Sequence, residues 1–287
     1  MNKLISFGDS FTWGSELKDD LTLGMADPKG YIAYKKYAHA TNPMEKFSEP
    51  DFNHKVTWSH SGSGYSRHTW PALYATSKNM EYRCFAQPGC SNSSISRRFF
   101  KFLPNIDKTD LVIVNWTWID RWDVFDTNGE VELANKMKNA VTAKDVHVQT
   151  ISLDNWVTLR PSDASKDELS KLYFKYLQSE LWSKFESLKL MMLVSATLKS
   201  KNIPFAMTCV DKLAFDKTYH CPDYINNIQS ELEDDFIWFE NMGFYEWAVS
   251  NNFDLGEDGH PLEEAHIEAF KYIEENYDLD KYTKDNS

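Results

Sequence analysis

Asp110-Leu-Val-Ile-Val-Asn-Trp116 sets four aliphatic residues in succession between polar neighbours. So short a run, apolar at every position, reads as a strand buried on both faces. A parallel sheet covered by helices produces that pattern. Weaker runs repeat it at Lys3–Phe7, which ends on Gly8-Asp9, and at Glu81–Ala86 and Ile203–Cys209. Helical periodicities fall between them. Trp70 to Lys78 is one; after Ser91, a suitable N-cap, Ile95, Phe99, Phe102 and Leu103 recur at helical intervals. From Lys166 to Lys199 the apolar positions fit one helical face, predicting a long helix or a kinked pair. Residues 222–250 hold aromatic-rich helical turns, and Pro261 to Asn276 predicts a final helix with proline in its first turn. The alternation predicts an α/β fold, with a mostly parallel sheet, helices on both faces and a ligand site beyond the carboxyl ends of the strands.

The 287 residues suffice for one large domain or two small ones. No internal repeat divides them, so we expect a single domain over 1–287 with two insertions. One, at about 17–64, carries scattered charge and Ser61-Gly-Ser-Gly64; the other, at about 126–165, is polar and weakly periodic, an excursion with a short hairpin. With 31 basic and 43 acidic residues the formal charge is −12. No dense basic face is present to displace counterions from nucleic acid or to seat the chain on an anionic membrane. The first residues turn polar too soon for a secretory signal, and no stretch of about 18 apolar residues follows. We therefore expect a cytoplasmic or phage virion-associated protein without a membrane span. Cys84, Cys90, Cys209 and Cys221 form no disulfide framework and no metal-binding pair. His54, His60 and His68 are irregularly spaced, so no metal site is expected.

Two segments carry chemistry. Phe7-Gly8-Asp9-Ser10-Phe11 leaves a serine where the first strand ends, and Glu257-Asp258-Gly259-His260-Pro261 places a histidine just before the last helix. A serine hydroxyl is a weak nucleophile until an imidazole takes its proton, and the imidazole needs a carboxylate to orient it. Gly8-Asp9-Ser10 and Asp258-Gly-His-Pro261 together resemble the SGNH hydrolases, also called the GDSL esterase/lipase family. The resemblance implies a flavodoxin-like three-layer α/β/α sandwich. It implies Ser10 as nucleophile and His260 as base, with Asp258 or Glu257 behind the imidazole. The second block resembles Ala86-Gln-Pro-Gly89-Cys-Ser-Asn92, which makes Gly89 an oxyanion donor beside the Ser10 N–H.

Two blocks depart from the family pattern. The third, usually Gly-x-Asn-Asp, is Asn115-Trp116-Thr117-Trp118, which sets Thr117 at the oxyanion asparagine and Asn115 at the glycine. In the fourth, Glu257 occupies the usual aspartate position and Asp258 follows it; the compact Asp-Gly-His-Pro string favours Asp258. Arg121 follows Thr117 by four residues and can line the site, whereas solvation accounts for Arg97 and Arg98. Trp13 and Trp118 follow motif residues and are expected to form a substrate wall of the kind that stacks on a sugar ring or an acyl chain. The resemblance implies a metal- and cofactor-independent serine esterase acting on a small-molecule, glycan or lipid ester, such as an O-acetyl group on a glycan. The alternative is a non-catalytic binding or virion-associated structural module on the same fold.

Overall fold

The computed structural model describes residues 3–17, 65–125, 156–166, 168–217 and 222–279. Most of the insertion expected at 17–64, and residues 126–155 of the second one, lie outside them, as do His54, His60 and Cys221. In chain order the elements are β1 (Lys3–Phe7), α1 (Ser10–Trp13), α2 (Trp70–Ser77), β2 (Glu81–Cys84), α3 (Asn92–Phe102) and β3 (Leu111–Trp116). There follow β4 (Trp122–Phe125), β5 (Trp156–Leu159), α4 (Glu168–Tyr176), α5 (Glu180–Ser200), β6 (Phe205–Cys209), α6 (Asp223–Leu232), α7 (Phe244–Ser250) and α8 (Glu263–Asn276).

Four strands form one parallel sheet in the order β2-β1-β3-β6. A parallel bridge between Met207 and Phe236 extends its edge by one pair. The period-2 alternation of the strands then builds a core on each face. Phe7, Val112, Val114, Trp116 and Met207 point to the side closed by α3, α5 and α6. Leu4, Leu111, Ile113 and Ala206 point to the side closed by α2, α7 and α8. This is the three-layer α/β/α sandwich expected from the sequence. Burying a side chain the size of Phe or Leu contributes about 1.5–3 kcal/mol, so the two cores dominate its stability.

The order β2-β1-β3 reverses winding direction at β1, and in doubly wound sheets the crevice opens at the carboxyl ends of the strands flanking such a reversal. Here those ends are Phe7, leading to Ser10, and Trp116, leading to Thr117. Of the two alternatives for 166–199, a long helix or a kinked pair, the chain adopts the pair, α4 and α5, with the Ser179 hydroxyl capping α5 through the Trp182 N–H at 3.4 Å. The hairpin expected within 126–165 is found only in part there: β4, which precedes that segment, pairs antiparallel with β5 inside it, joining Trp122 to Leu159 and Phe125 to Trp156. Pro261 lies ahead of α8 rather than in its first turn, because it is committed to an antiparallel bridge with Leu255. Among the described residues no helix is long and apolar enough to cross a membrane, and no group of three or more His, Cys, Asp or Glu is placed to hold a metal ion.

Candidate active site

Ser10 opens the short helix α1 directly after β1. Asp9 caps that helix, its Oδ1 accepting the Phe11 N–H at 3.1 Å, and Gly14 ends it in a left-handed conformation. The serine is 5% exposed and its neighbour Asp9 is fully buried. Two bonds tie this turn to the loop after β2: the Gln87 N–H donates to the Gly8 carbonyl at 2.9 Å, and the Cys90 thiol donates to the same oxygen at 3.5 Å.

His260 rides on a tight loop closed by the Gly256 N–H on the His260 carbonyl at 2.8 Å and by the Leu255–Pro261 bridge. Its ring lies 5.2 Å, centroid to centroid, from that of Phe11, the residue after Ser10. Both ends of the chain therefore meet at one edge of the sheet. Ser10 and His260 are not hydrogen-bonded to each other, a contact that in unliganded enzymes often tightens only with substrate bound.

The carboxylate against the imidazole is neither of the two expected from the sequence. His260 Nδ1 is 2.7 Å from Glu16 Oε2, while Glu257 and Asp258 both turn to the surface. The reason is the shape of the loop: it offers backbone donors, not its own acids, to the same carboxylate. The Asp258 N–H donates to Glu16 Oε1 at 3.0 Å and the His260 N–H to Oε2 at 3.2 Å. A β-carbon on Gly256 would stand within 2.5 Å of both Glu16 carboxylate oxygens, so glycine leaves the room in which the carboxylate sits. Burial alone would raise the Glu16 pKa, but these N–H donors and the imidazole outweigh it and hold the carboxyl below its ordinary value. Glu16 itself has φ +67°, a left-handed conformation that costs a non-glycine residue about 1–3 kcal/mol and that clusters at functional sites. Sequence reasoning missed it because no spacing rule links residue 16 to residue 260. The available signal was an acid six residues after the serine, at the edge of a polar segment.

The oxyanion donors named from the sequence fare unequally. Gly89 has φ +74°, and neither its N–H nor that of Ser10 is taken up by a hydrogen bond among the described residues. Both are free to point at a ligand. Thr117 is not: its hydroxyl donates to Asp9 Oδ2 at 2.6 Å and its N–H to Asn92 Oδ1 at 2.9 Å, which exhausts its donors. The assignment of Thr117 to the oxyanion hole is corrected on that ground. Asn115 is 2% exposed within β3, in register with Thr208, and its Oδ1 is buried without a partner among the described residues. It belongs to the sheet rather than to the crevice.

Arg121 reaches both the turn after β1 and the loop after β2. Its Nη1 donates to the Cys90 carbonyl at 2.9 Å and lies 3.4 Å from Asp9 Oδ2, and its guanidinium lies 4.5 Å from the centre of the Trp118 ring. Half-buried Trp118 also meets Phe11 at 5.3 Å and Tyr245 at 6.0 Å, making an aromatic wall around Phe11, the residue after Ser10. Trp13, the other expected wall residue, is 5% exposed and packs in the core under α2 and α8 instead. Asp211, just past β6, accepts the Leu213 N–H at 3.0 Å; burial, reinforced by the charges of Glu246 and Asp120, pushes its pKa up to about 7. Beneath the wall, fully buried His266 accepts the Trp70 N–H at 3.2 Å on Nδ1.

No family model and no curated relative matches the chain. Among solved structures it is similar to a member of the lipolytic protein G-D-S-L family from Veillonella parvula DSM 2008, with 10% identity, 96% of this chain and 98% of that one covered and a TM-score of 0.41. It is also similar to phospholipase A1 from Streptomyces albidoflavus NA297, with 9% identity, the same coverages and a TM-score of 0.33.

Proposed function

We propose that this chain is a serine ester hydrolase working through an acyl-enzyme. The observation that carries the proposal is the 2.7 Å contact of His260 Nδ1 with Glu16, on a loop whose imidazole packs against the residue after Ser10. With Glu16 accepting the Nδ1 proton, the lone pair of His260 is on Nε2, the nitrogen a general base uses. His260 takes the Ser10 proton as Oγ attacks the ester carbonyl, and the carbonyl π electrons move onto oxygen. The Gly89 and Ser10 N–H groups receive that oxyanion. When the C=O re-forms, the C–O bond to the alcohol breaks and His260 returns the proton to the leaving oxygen. Water then repeats the sequence on the acyl-Ser10. The aromatic wall of Trp118 and Tyr245 favours an ester whose alcohol or acyl part offers a flat apolar face, such as an O-acetylated sugar. A phage or cytoplasmic setting accords with the family resemblance.

Labelling with a fluorophosphonate tests this. The native chain should form an adduct and Ser10→Ala should not; a folded native chain that stays unlabelled at Ser10 would refute it. The competing module without catalysis draws support from the missing Ser10–His260 hydrogen bond and from the spent donors of Thr117, and that same negative result would favour it.

A further inference from the structure

A tetrahedral intermediate at Ser10 has two backbone donors, from Ser10 and Gly89, but its third expected donor is gone because Thr117 has given both of its protons away. We propose that Arg121 supplies the missing one, so that the oxyanion is held by two amides and a guanidinium instead of by an asparagine amide. The proposal rests on the hydrolase reading above.

Four observations support it. Arg121 Nη1 bridges the two loops that carry the amide donors, bonding the carbonyl of Cys90, next to Gly89, and approaching the carboxylate of Asp9, next to Ser10. Among the described residues its Nε and Nη2 make no hydrogen bond, which leaves three N–H donors unspent. The side chain is 12% exposed and lies along Trp118, so the fork is held in place before any ligand arrives. Asp9 is also engaged by the Phe11 N–H and the Thr117 hydroxyl, so the long 3.4 Å contact with Arg121 is not the only interaction satisfying it.

The chemistry is balanced without further reactants. As Ser10 Oγ forms its bond to carbon, one negative charge passes from the serine–histidine pair to the carbonyl oxygen, and a fixed cation beside that oxygen lowers the energy of this state more than that of the neutral ester. Such a group changes turnover and leaves ground-state affinity for a neutral ester nearly alone.

The test compares native protein with Arg121→Met and Arg121→Lys on p-nitrophenyl acetate, with folding checked by circular dichroism. Arg121→Met should lower kcat about 10²–10³-fold with KM little changed. Affinity for a phenylboronic acid, which becomes an anionic tetrahedral adduct on serine, should fall by a similar factor, and Arg121→Lys should recover part of both. The double variant Asp9→Asn/Arg121→Met, which removes the charge pair together, should remain as slow as Arg121→Met. A folded Arg121→Met with native kcat, or a double variant that regains activity, would show that Arg121 only neutralises Asp9 and would overturn the proposal while leaving Ser10 labelling intact. A native chain unlabelled by fluorophosphonate would overturn both.

Discussion

Acid should unfold this protein through His266. The side chain is 1% exposed, lies tilted against Phe244 with centroids 4.8 Å apart and accepts the Trp70 N–H, one of the donors that the start of α2 leaves without a helical partner. Burial, with smaller contributions from the charges of His260 and His68, pushes its pKa down from 6.5 to about 3. A histidine kept neutral in the fold but protonated in the unfolded chain contributes stability that is intact above pH 6.5. That stability declines as pH falls toward the folded value. The slope is about 1.4 kcal/mol per pH unit, so roughly 4–5 kcal/mol is at stake across the window, close to the whole stability of a marginal domain. His266→Phe keeps the ring against Phe244 and removes both the titration and the acceptor. At pH 7.5 the variant should be weaker by about 1–3 kcal/mol, because the Trp70 N–H is left buried and unpaired. By pH 4 the native protein will have lost about 3 kcal/mol to His266 alone, so the two stability curves should cross between these values. Urea unfolding at half-unit steps from pH 4 to 8, with unchanged m-values, measures this. Parallel curves would refute the reasoning, since they would mean that His266 takes up its proton as readily in the fold as outside it.

Glu16→Gln should preserve the loop through its remaining acceptor oxygen while reducing ester turnover by up to about 10⁴-fold, since an amide cannot hold the same imidazole tautomer or stabilise its cation; steady-state kinetics on a chromogenic ester decide it. Asp211→Asn should stabilise the protein at pH 8 and do little near pH 4. The folded Asp211 carboxyl, with its pKa raised to about 7, contributes stability that is present below the ordinary carboxylate range and is lost as pH rises through 7. Thermal melts at the two pH values measure that difference.

The sandwich was legible because local chemistry and global arrangement agree. Leu111 to Val114 is apolar on both faces and is covered on both faces; Ser91 looks like a cap and caps α3 through the Ser94 N–H. Gly89 was legible as a turn glycine for the same reason, since its φ of +74° favours that residue. The carboxylate was not. Nothing in Asp258 marks that its backbone, not its side chain, faces the imidazole, and Glu16 reveals itself only once Gly256 is seen making room for it. Thr117 misled because donor type can be read from a sequence, whereas whether the donor is already spent depends on Asp9, 108 residues away. Trp13 misled in the same way: adjacency to a motif says nothing of which side of the turn a ring will take.

The clasp between Glu16 and the loop at 256–260 also bears on synthesis. During translation the two N–H groups and the imidazole that meet the Glu16 carboxylate are made some 240 residues after it. The clasp therefore cannot close until residue 260 has left the ribosome, so the imidazole meets its carboxylate only after every strand of the parallel sheet has been made.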